Sequence, residues 1–247
     1  MAQAKALALI ETSIGKKAVA ALTGAALYAF AFVHAVGNLQ VFLGREHFNE
    51  YAEFLQSMPK VVWGTRIGLL LALLTHIAMV MQIAIGASKA RPTRYKVDAA
   101  IAEQSFLQAT ARKMMVLSGL VLFAYITFHI LHLTAGVVPN TFYVHGMAFE
   151  NLVYGMRNPF IAGFYIFANL LLGLHLFHGA VAIFQTLGLK HPQWDARSKP
   201  LALLITAVIT VTNVAIPVAG VTHLIGADLP ANAADLVLDS PNADANE

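Results

Sequence analysis

Six histidines lie inside long apolar stretches of this sequence, and their type and spacing suit them to chemistry. An ionisable side chain within a membrane-length apolar segment is rare and costly, so a functional role is its default interpretation. Neutral imidazole is also the commonest metal ligand among side chains. The six are His34, His76, His129, His132, His175 and His178.

The segments around these histidines predict an all-α membrane protein with five transmembrane helices. Of 247 residues, 58% are hydrophobic and 12% charged, whereas soluble domains carry about 25% charged residues. Five apolar stretches reach the roughly 20 residues that a bilayer crossing takes. We expect the spans at residues 18–43, 61–87, 114–138, 159–189 and 201–225.

The basic residues predict the orientation of the bundle. Lys and Arg concentrate before the first span, between the second and third, and between the fourth and fifth. The positive-inside rule places these regions in the cytoplasm and the C-terminus outside. We therefore expect a multi-pass protein of the cell inner (cytoplasmic) membrane. Its parts are a cytoplasmic segment at 1–17, the membrane domain at 18–227 and a flexible acidic external tail at 228–247. The charge pattern reflects topology and does not indicate nucleic-acid binding.

Depth in the membrane divides four of the histidines into two pairs. At 1.5 Å per residue, His34 and His129 lie roughly 24 Å and 22 Å along spans that start in the cytoplasm. His76 and His175 lie on spans that run the other way, and belong nearer the cytoplasmic half. We call His34 and His129 the first pair, expected in the outer tier, and His76 and His175 the second pair, expected in the inner tier.

A short internal repeat precedes the first pair. Thr23-Gly24 lies eleven and ten positions before His34, and Ser118-Gly119 lies equally far before His129. A glycine on a face between helices permits close approach or leaves room for a flat macrocycle. We interpret the repeat as support for the first pair.

Paired imidazoles in an apolar bundle favour haem iron over other metals. Zinc usually takes a third or fourth protein ligand, and the predicted spans contain no Asp, Glu or Cys. Copper would want a thiolate or a methionine cluster. Two axial histidines leave iron no open position, which suits electron transfer. A purely structural role for the histidines is the alternative.

Three further residues have open roles near these pairs. His132 and His178 each lie three residues beyond a proposed ligand, on nearly the same helix face. They are either the true ligands or, as we favour, partners of a haem propionate, a backbone carbonyl or a quinone. Arg66, near the end of the second span, either reaches the membrane surface or pairs with a propionate of the outer haem.

The chain resembles the five-helix dihaem cytochrome b anchor subunit of succinate dehydrogenases and fumarate reductases. The resemblance covers about residues 16–225. Its carriers are Thr23-Gly24 before His34, Gly37-Asn38-Leu39 after it, His76, Ser118-Gly119 before His129, His175-Leu176-Phe177-His178-Gly179, and Gln185-Thr186-Leu187-Gly188.

The resemblance implies a role within a membrane enzyme. His34 and His129 would hold a distal haem b, and His76 and His175 a proximal one; the spacing from His175 to the next glycine favours it over His178. A flavoprotein subunit with FAD and an iron–sulfur subunit would dock on the cytoplasmic side, for which the basic stretch at 89–113 is a candidate surface. They would perform the dicarboxylate chemistry, and a membrane quinone would exchange electrons with this chain.

One departure and two alternatives accompany this resemblance. Some dihaem members are thought to carry a carboxylate two positions before the fourth-span ligand, where this chain has Gly173. If the quinone binds near the distal haem, the nearest proton-exchanging groups are those of the outer loop with Glu46, Asn49, Glu50 and Tyr51. The alternatives are a cytochrome b of hydrogenase or formate dehydrogenase type, and a haem-free transporter that uses the histidines directly.

Overall fold

The computed structural model describes residues 12–90, 106–139, 141–188, 192–231 and 233–238, and within these ranges it is helical, without strands. A 3-10 turn at Leu39–Leu43 and a π turn at Ile130–Thr134 lie among the α-helices of the described ranges. The α-helices are α1 (Ser13–Asn38), α2 (Arg45–Gln56), α3 (Pro59–Ala90), α4 (Phe106–His129), α5 (Ala148–Arg157), α6 (Pro159–Thr186), α7 (Pro192–Val221) and α8 (Ala233–Leu238).

Five of the helical segments are long and apolar enough to cross a membrane, which confirms the five predicted spans. They are Ser13–Leu43, Pro59–Ala90, Met114–Thr134, Pro159–Thr186 and Lys199–Val221. Which membrane they cross, and which end faces the cytoplasm, stay predictions. The basic stretch predicted as a docking surface lies mostly outside the described residues, because these omit 91–105.

The ends of the helices are fixed by local capping. Thr12 Oγ1 accepts a hydrogen bond from Gly15 N at 3.0 Å at the start of α1. Asn158 Oδ1 caps α6 by accepting from Phe160 N at 3.0 Å. A side-chain oxygen at this position satisfies amides that have no partner in the first turn. His223, with φ of 58°, ends α7 in the left-handed conformation that commonly closes a helix.

Helices α1 and α6 form the centre of the bundle. Helix α1 packs against α3, α6 and α7, and α6 packs in addition against α4 and α7. The Tyr28 hydroxyl lies 3.0 Å from Thr206 Oγ1 and joins α1 to α7. Gly173 brings α6 close to α7, because a Cβ there would stand 2.5 Å from Thr210 Oγ1. Helix α3 therefore packs mainly on α1 and helix α4 mainly on α6, and each carries one histidine of a different pair.

Helices α2 and α5 cover one end of the bundle, which we call the capped end. Glu150 of α5 is fully buried there and forms an ion pair with Arg45 of α2. Asn49 joins the same two helices twice: its Nδ2 donates to Glu150 Oε2 at 3.0 Å, and its Oδ1 accepts from Phe149 N at 2.8 Å. The capped end is thus held by a buried charged network above an apolar cluster that includes Phe48 and Val153.

The segment after α7 folds back onto the capped end. The Arg157 guanidinium donates to Pro230 O at 2.7 Å and Gly226 O at 2.8 Å, and the Leu229 and Leu236 side chains are buried. The beginning of the predicted external tail is therefore packed. The flexibility predicted for the tail stays a prediction for residues 239–247, which lie outside the described residues.

Candidate functional site

The first pair meets in the structure. His34 lies near the end of α1, and His129 is the last residue of α4. Their rings are 5.9 Å apart between centroids, at an interplanar angle of 85°. One metal ion bound about 2 Å from a nitrogen of each ring would place the centroids roughly 6 Å apart. Both side chains are half-buried at the level just below the capped end.

The partner of His34 identifies its lone-pair nitrogen. Asn38 Nδ2 lies 3.2 Å from His34 Nε2. An amide nitrogen only donates, so Nε2 is the unprotonated acceptor and the proton is on Nδ1. A metal at Nε2 would take the lone pair that Asn38 uses here. Phe30 stacks on the other side of the ring, with centroids 5.3 Å apart, and fixes its plane.

His76 has the same protonation pattern for a different reason. Its Nδ1 lies 3.0 Å from the Ala20 carbonyl oxygen and 3.4 Å from Thr23 Oγ1. The carbonyl only accepts, so Nδ1 carries the proton. The Thr23 hydroxyl already donates to Val19 O at 2.8 Å and is therefore also an acceptor for His76. His76 Nε2 is therefore the unprotonated nitrogen of the ring.

His175 on α6 makes a similar contact with α4. Its Nδ1 lies 3.1 Å from Ser118 Oγ, and Ser118 donates its single proton to Met115 O, also at 3.1 Å. When the serine proton is on the Met115 side, the serine oxygen accepts from His175 Nδ1–H, and Nε2 is unprotonated. His175 also lies within electrostatic range of His76 and His178. The second pair is thus held from α1 and α4 through Nδ1.

The internal repeat supports the second pair, and its assignment to the first pair was wrong. A Cβ at Gly24 would stand 3.0 Å from His76 Cε1, and one at Gly119 would stand 3.7 Å from His175 Cε1. The reason is the rise of the α-helix, about 1.5 Å per residue. Thr23 and Ser118 lie eleven residues before His34 and His129, which is about 16 Å along the helix. The hydroxyl and glycine therefore lie at the level of the other histidines. Helices α1 and α4 thus each carry one histidine of the first pair and one hydroxyl residue that contacts a histidine of the second pair.

His132 is packed in a way that leaves no room for an iron atom at its ring. It is 1% exposed, and its Nδ1 lies 3.0 Å from the Tyr165 hydroxyl. Its other edge faces the α5 backbone, because a Cβ at Gly155 would stand 2.7 Å from Nε2. The half-buried His129 meets His34 instead. A π turn begins directly after His129, a backbone feature frequently found at functional sites.

The other two site predictions have the following surroundings. His178 is half-buried on α6. Arg66 is exposed, and its guanidinium carbon lies 5.2 Å from the centroid of the Trp63 ring. This stacking suits a side chain at the membrane surface. Its pairing with a propionate stays a prediction.

Several polar residues beside the first pair were missed by the sequence analysis. The Tyr165 hydroxyl lies between His129 and His132, and Asn169 Nδ2 donates to the Tyr125 hydroxyl at 3.1 Å. Tyr165 and Asn169 are one helical turn apart in an apolar span. Polar side chains at that spacing were the available signal, since buried polar groups need partners. Glu150 gave no comparable signal, because it lies outside the apolar stretches.

The candidate donors come in pairs in the part of the chain that the structure describes. No group of three or more His, Cys, Asp or Glu side chains there is placed to hold one metal ion. Comparison of the chain with known protein families, curated proteins and solved structures finds no match. The functional argument therefore rests on the residues and their geometry.

Proposed function

We propose that this chain is the dihaem cytochrome b anchor subunit of a succinate:quinone oxidoreductase. The observation that carries the proposal is the shared protonation pattern of His34, His76 and His175. His76 and His175 make these contacts through Nδ1 and leave Nε2 for a metal, whereas at His34 a metal would replace Asn38 at Nε2. These residues come from three different helices, and a fourth helix brings His129 to His34. A structural role for the histidines would require no common pattern.

The residues fit two haem b groups. His34 and His129 would hold the distal haem, and His76 and His175 the proximal haem, in tiers about 16 Å apart along α1 and α4. Gly24 and Gly119 place no side chain of their own against the His76 and His175 rings. Haem iron with two axial histidines supplies reversible one-electron transfer. Nδ1 partners orient such ligands and raise their basicity, which is the role of the Ala20 carbonyl and the Ser118 hydroxyl.

The chain would act within a complex. Its partners are a flavoprotein subunit with FAD and an iron–sulfur subunit, docked on the cytoplasmic side, and a membrane quinone. The chain itself would not bind the dicarboxylate. Its contribution is to hold the two haems in an apolar bundle and to anchor the partners.

A haem count with paired histidine variants tests the proposal. The purified protein should show a low-spin b-type spectrum in reduced-minus-oxidised difference, with about two haems per chain. His129→Ala should lose one haem, because it removes an axial ligand. His132→Ala should keep both, because the ring packs against α5 and Tyr165. A spectrum without a b-type band would refute the haem proposal, and haem loss in His132→Ala alone would reverse the ligand assignment.

Co-purification separates the complexes that use such a cytochrome. Flavin and iron–sulfur subunits with succinate–quinone activity in the native complex would support the succinate:quinone oxidoreductase. A hydrogenase or formate dehydrogenase subunit in their place would overturn that part of the proposal and leave the haem assignment intact.

A further inference from the structure

The Tyr165 hydroxyl lies between two imidazoles of the neighbouring helix. It is 3.0 Å from His132 Nδ1 and 3.4 Å from His129 Nδ1. The Tyr165 side chain is 4% exposed, so the three groups share one buried site. Because His132 follows His129 by three residues, both rings project from nearly the same face toward α6.

The donors and acceptors of Tyr165, His129 and His132 allow two directions for the hydrogen bonds among them. A phenol has one proton to donate, and its oxygen also accepts. In one direction Tyr165 donates to His132 and accepts from His129 Nδ1–H. In the other it donates to His129 Nδ1, which puts the His129 proton on Nε2 and blocks that nitrogen as a ligand. The shorter distance belongs to the contact with His132.

The other histidines select the first direction. The Ala20 carbonyl puts the His76 proton on Nδ1, and the contacts of His34 and His175 fit the same tautomer, with the lone pair on Nε2. His129 has the same tautomer only when its Nδ1–H donates to the Tyr165 hydroxyl oxygen. The Tyr165 proton must then go to another acceptor, and His132 Nδ1 is in place to take it. In this direction the His132 proton is on Nε2, which is buried without a hydrogen-bond partner among the described residues. The hydrogen bond from Tyr165 to Nδ1 has to offset the cost of that unpartnered N–H.

We propose that Tyr165 is the positioning residue of His129, and that His132 is the acceptor that fixes the direction of the Tyr165 hydroxyl. The inference rests on the proposed function, since it concerns a haem ligand. It also explains why two histidines stand three residues apart in this span. His129 would bind the iron, and His132 would accept the Tyr165 hydrogen bond that could otherwise go to His129 Nδ1. An acceptor on Nδ1–H makes an imidazole more basic, which stabilises the oxidised iron.

Redox titration of Tyr165→Phe in the complete protein tests the inference. The variant keeps the ring and removes the acceptor, so the midpoint potential of one of the two haems should rise. We expect a shift of about threefold or more in its reduced-to-oxidised ratio at fixed potential, roughly 28 mV for one electron. The matched control is Tyr125→Phe, whose hydroxyl bonds Asn169, and both midpoints should stay unchanged in it.

Two variants at position 132 provide a second measurement. His132→Asn places an amide oxygen near the Nδ1 position and should preserve both midpoints. His132→Leu removes the acceptor and should shift the same midpoint as Tyr165→Phe does. If Tyr165→Phe fails to fold, the difference between these two variants decides the question.

The outcomes separate this inference from the proposed function. A wild-type protein without haem overturns both. A dihaem protein in which Tyr165→Phe titrates like the wild type overturns the positioning role alone. Equal shifts in Tyr165→Phe and Tyr125→Phe would also overturn it, because the effect would then follow from the loss of any nearby hydroxyl.

Discussion

Replacing Gly24 by alanine should weaken the binding of the proximal haem, while the same change at Gly119 should not. The two glycines occupy corresponding places in the internal repeat and face His76 and His175. A Cβ at position 24 would stand 3.0 Å from His76 Cε1 and 3.3 Å from Nδ1. A Cβ at position 119 would stand 3.7 Å from His175 Cε1, which is ordinary contact.

The structure gives the size of the perturbation. The His76 ring must move by about 0.4 Å to reach a contact distance of 3.4 Å. Its Nδ1 is bound to the Ala20 carbonyl at 3.0 Å, so the movement strains that hydrogen bond as well. Overpacking of this kind costs about 1–3 kcal/mol, which corresponds to a roughly fivefold to 150-fold loss of haem affinity. Both variants gain the same intrinsic helix propensity, so the difference between them isolates the contact with the ring.

The assay measures haem per chain and the rate of haem transfer to apomyoglobin in detergent. In Gly24→Ala one haem should be lost or transfer faster, and in Gly119→Ala both should remain as in the wild type. Comparable haem loss in the two variants would refute the reasoning from contact distances. So would wild-type haem retention in Gly24→Ala, because the ring would then have room that the structure does not show.

Two further predictions concern the scaffold and need no haem. Arg45→Met leaves the buried carboxylate of Glu150 with only an amide partner, so the free energy of unfolding should fall by about 1–3 kcal/mol. Thermal unfolding in detergent measures this, and an unchanged Tm would show that the ion pair contributes nothing. Gly173→Ala should lower the Tm by overpacking against Thr210, at about 1–3 kcal/mol, whereas Gly179→Ala, with open space around it, should not. Equal Tm values for these two variants would contradict the close approach of α6 and α7.

The close contact between Gly173 and Thr210 also affects whether a carboxylate at position 173 could relay protons across the membrane. The sequence showed only that no carboxylate stands two positions before His175. The structure shows that a side chain there would force Thr210 or α7 to shift, because a Cβ would already stand 2.5 Å from Thr210 Oγ1. The glycine therefore serves the helix crossing. A proton relay at this position would require a different packing of the two helices.

The sequence by itself determined the five spans and the pairing of the first two ligand candidates. Both depend on one-dimensional quantities: hydrophobic length fixes a span, and residue count along a helix fixes depth. His34 and His129 were predicted at one level for that reason, and their rings meet.

Rotation about the helix axes and contact between helices were decided only by the tertiary structure. These settled that Thr23 and Ser118 hold His76 and His175 and not the histidines of their own helices. They also placed Tyr165 between His129 and His132. Depth follows from counting residues along one helix, but a hydrogen-bond partner depends on how two helices face each other, and no spacing within a single segment contains that information.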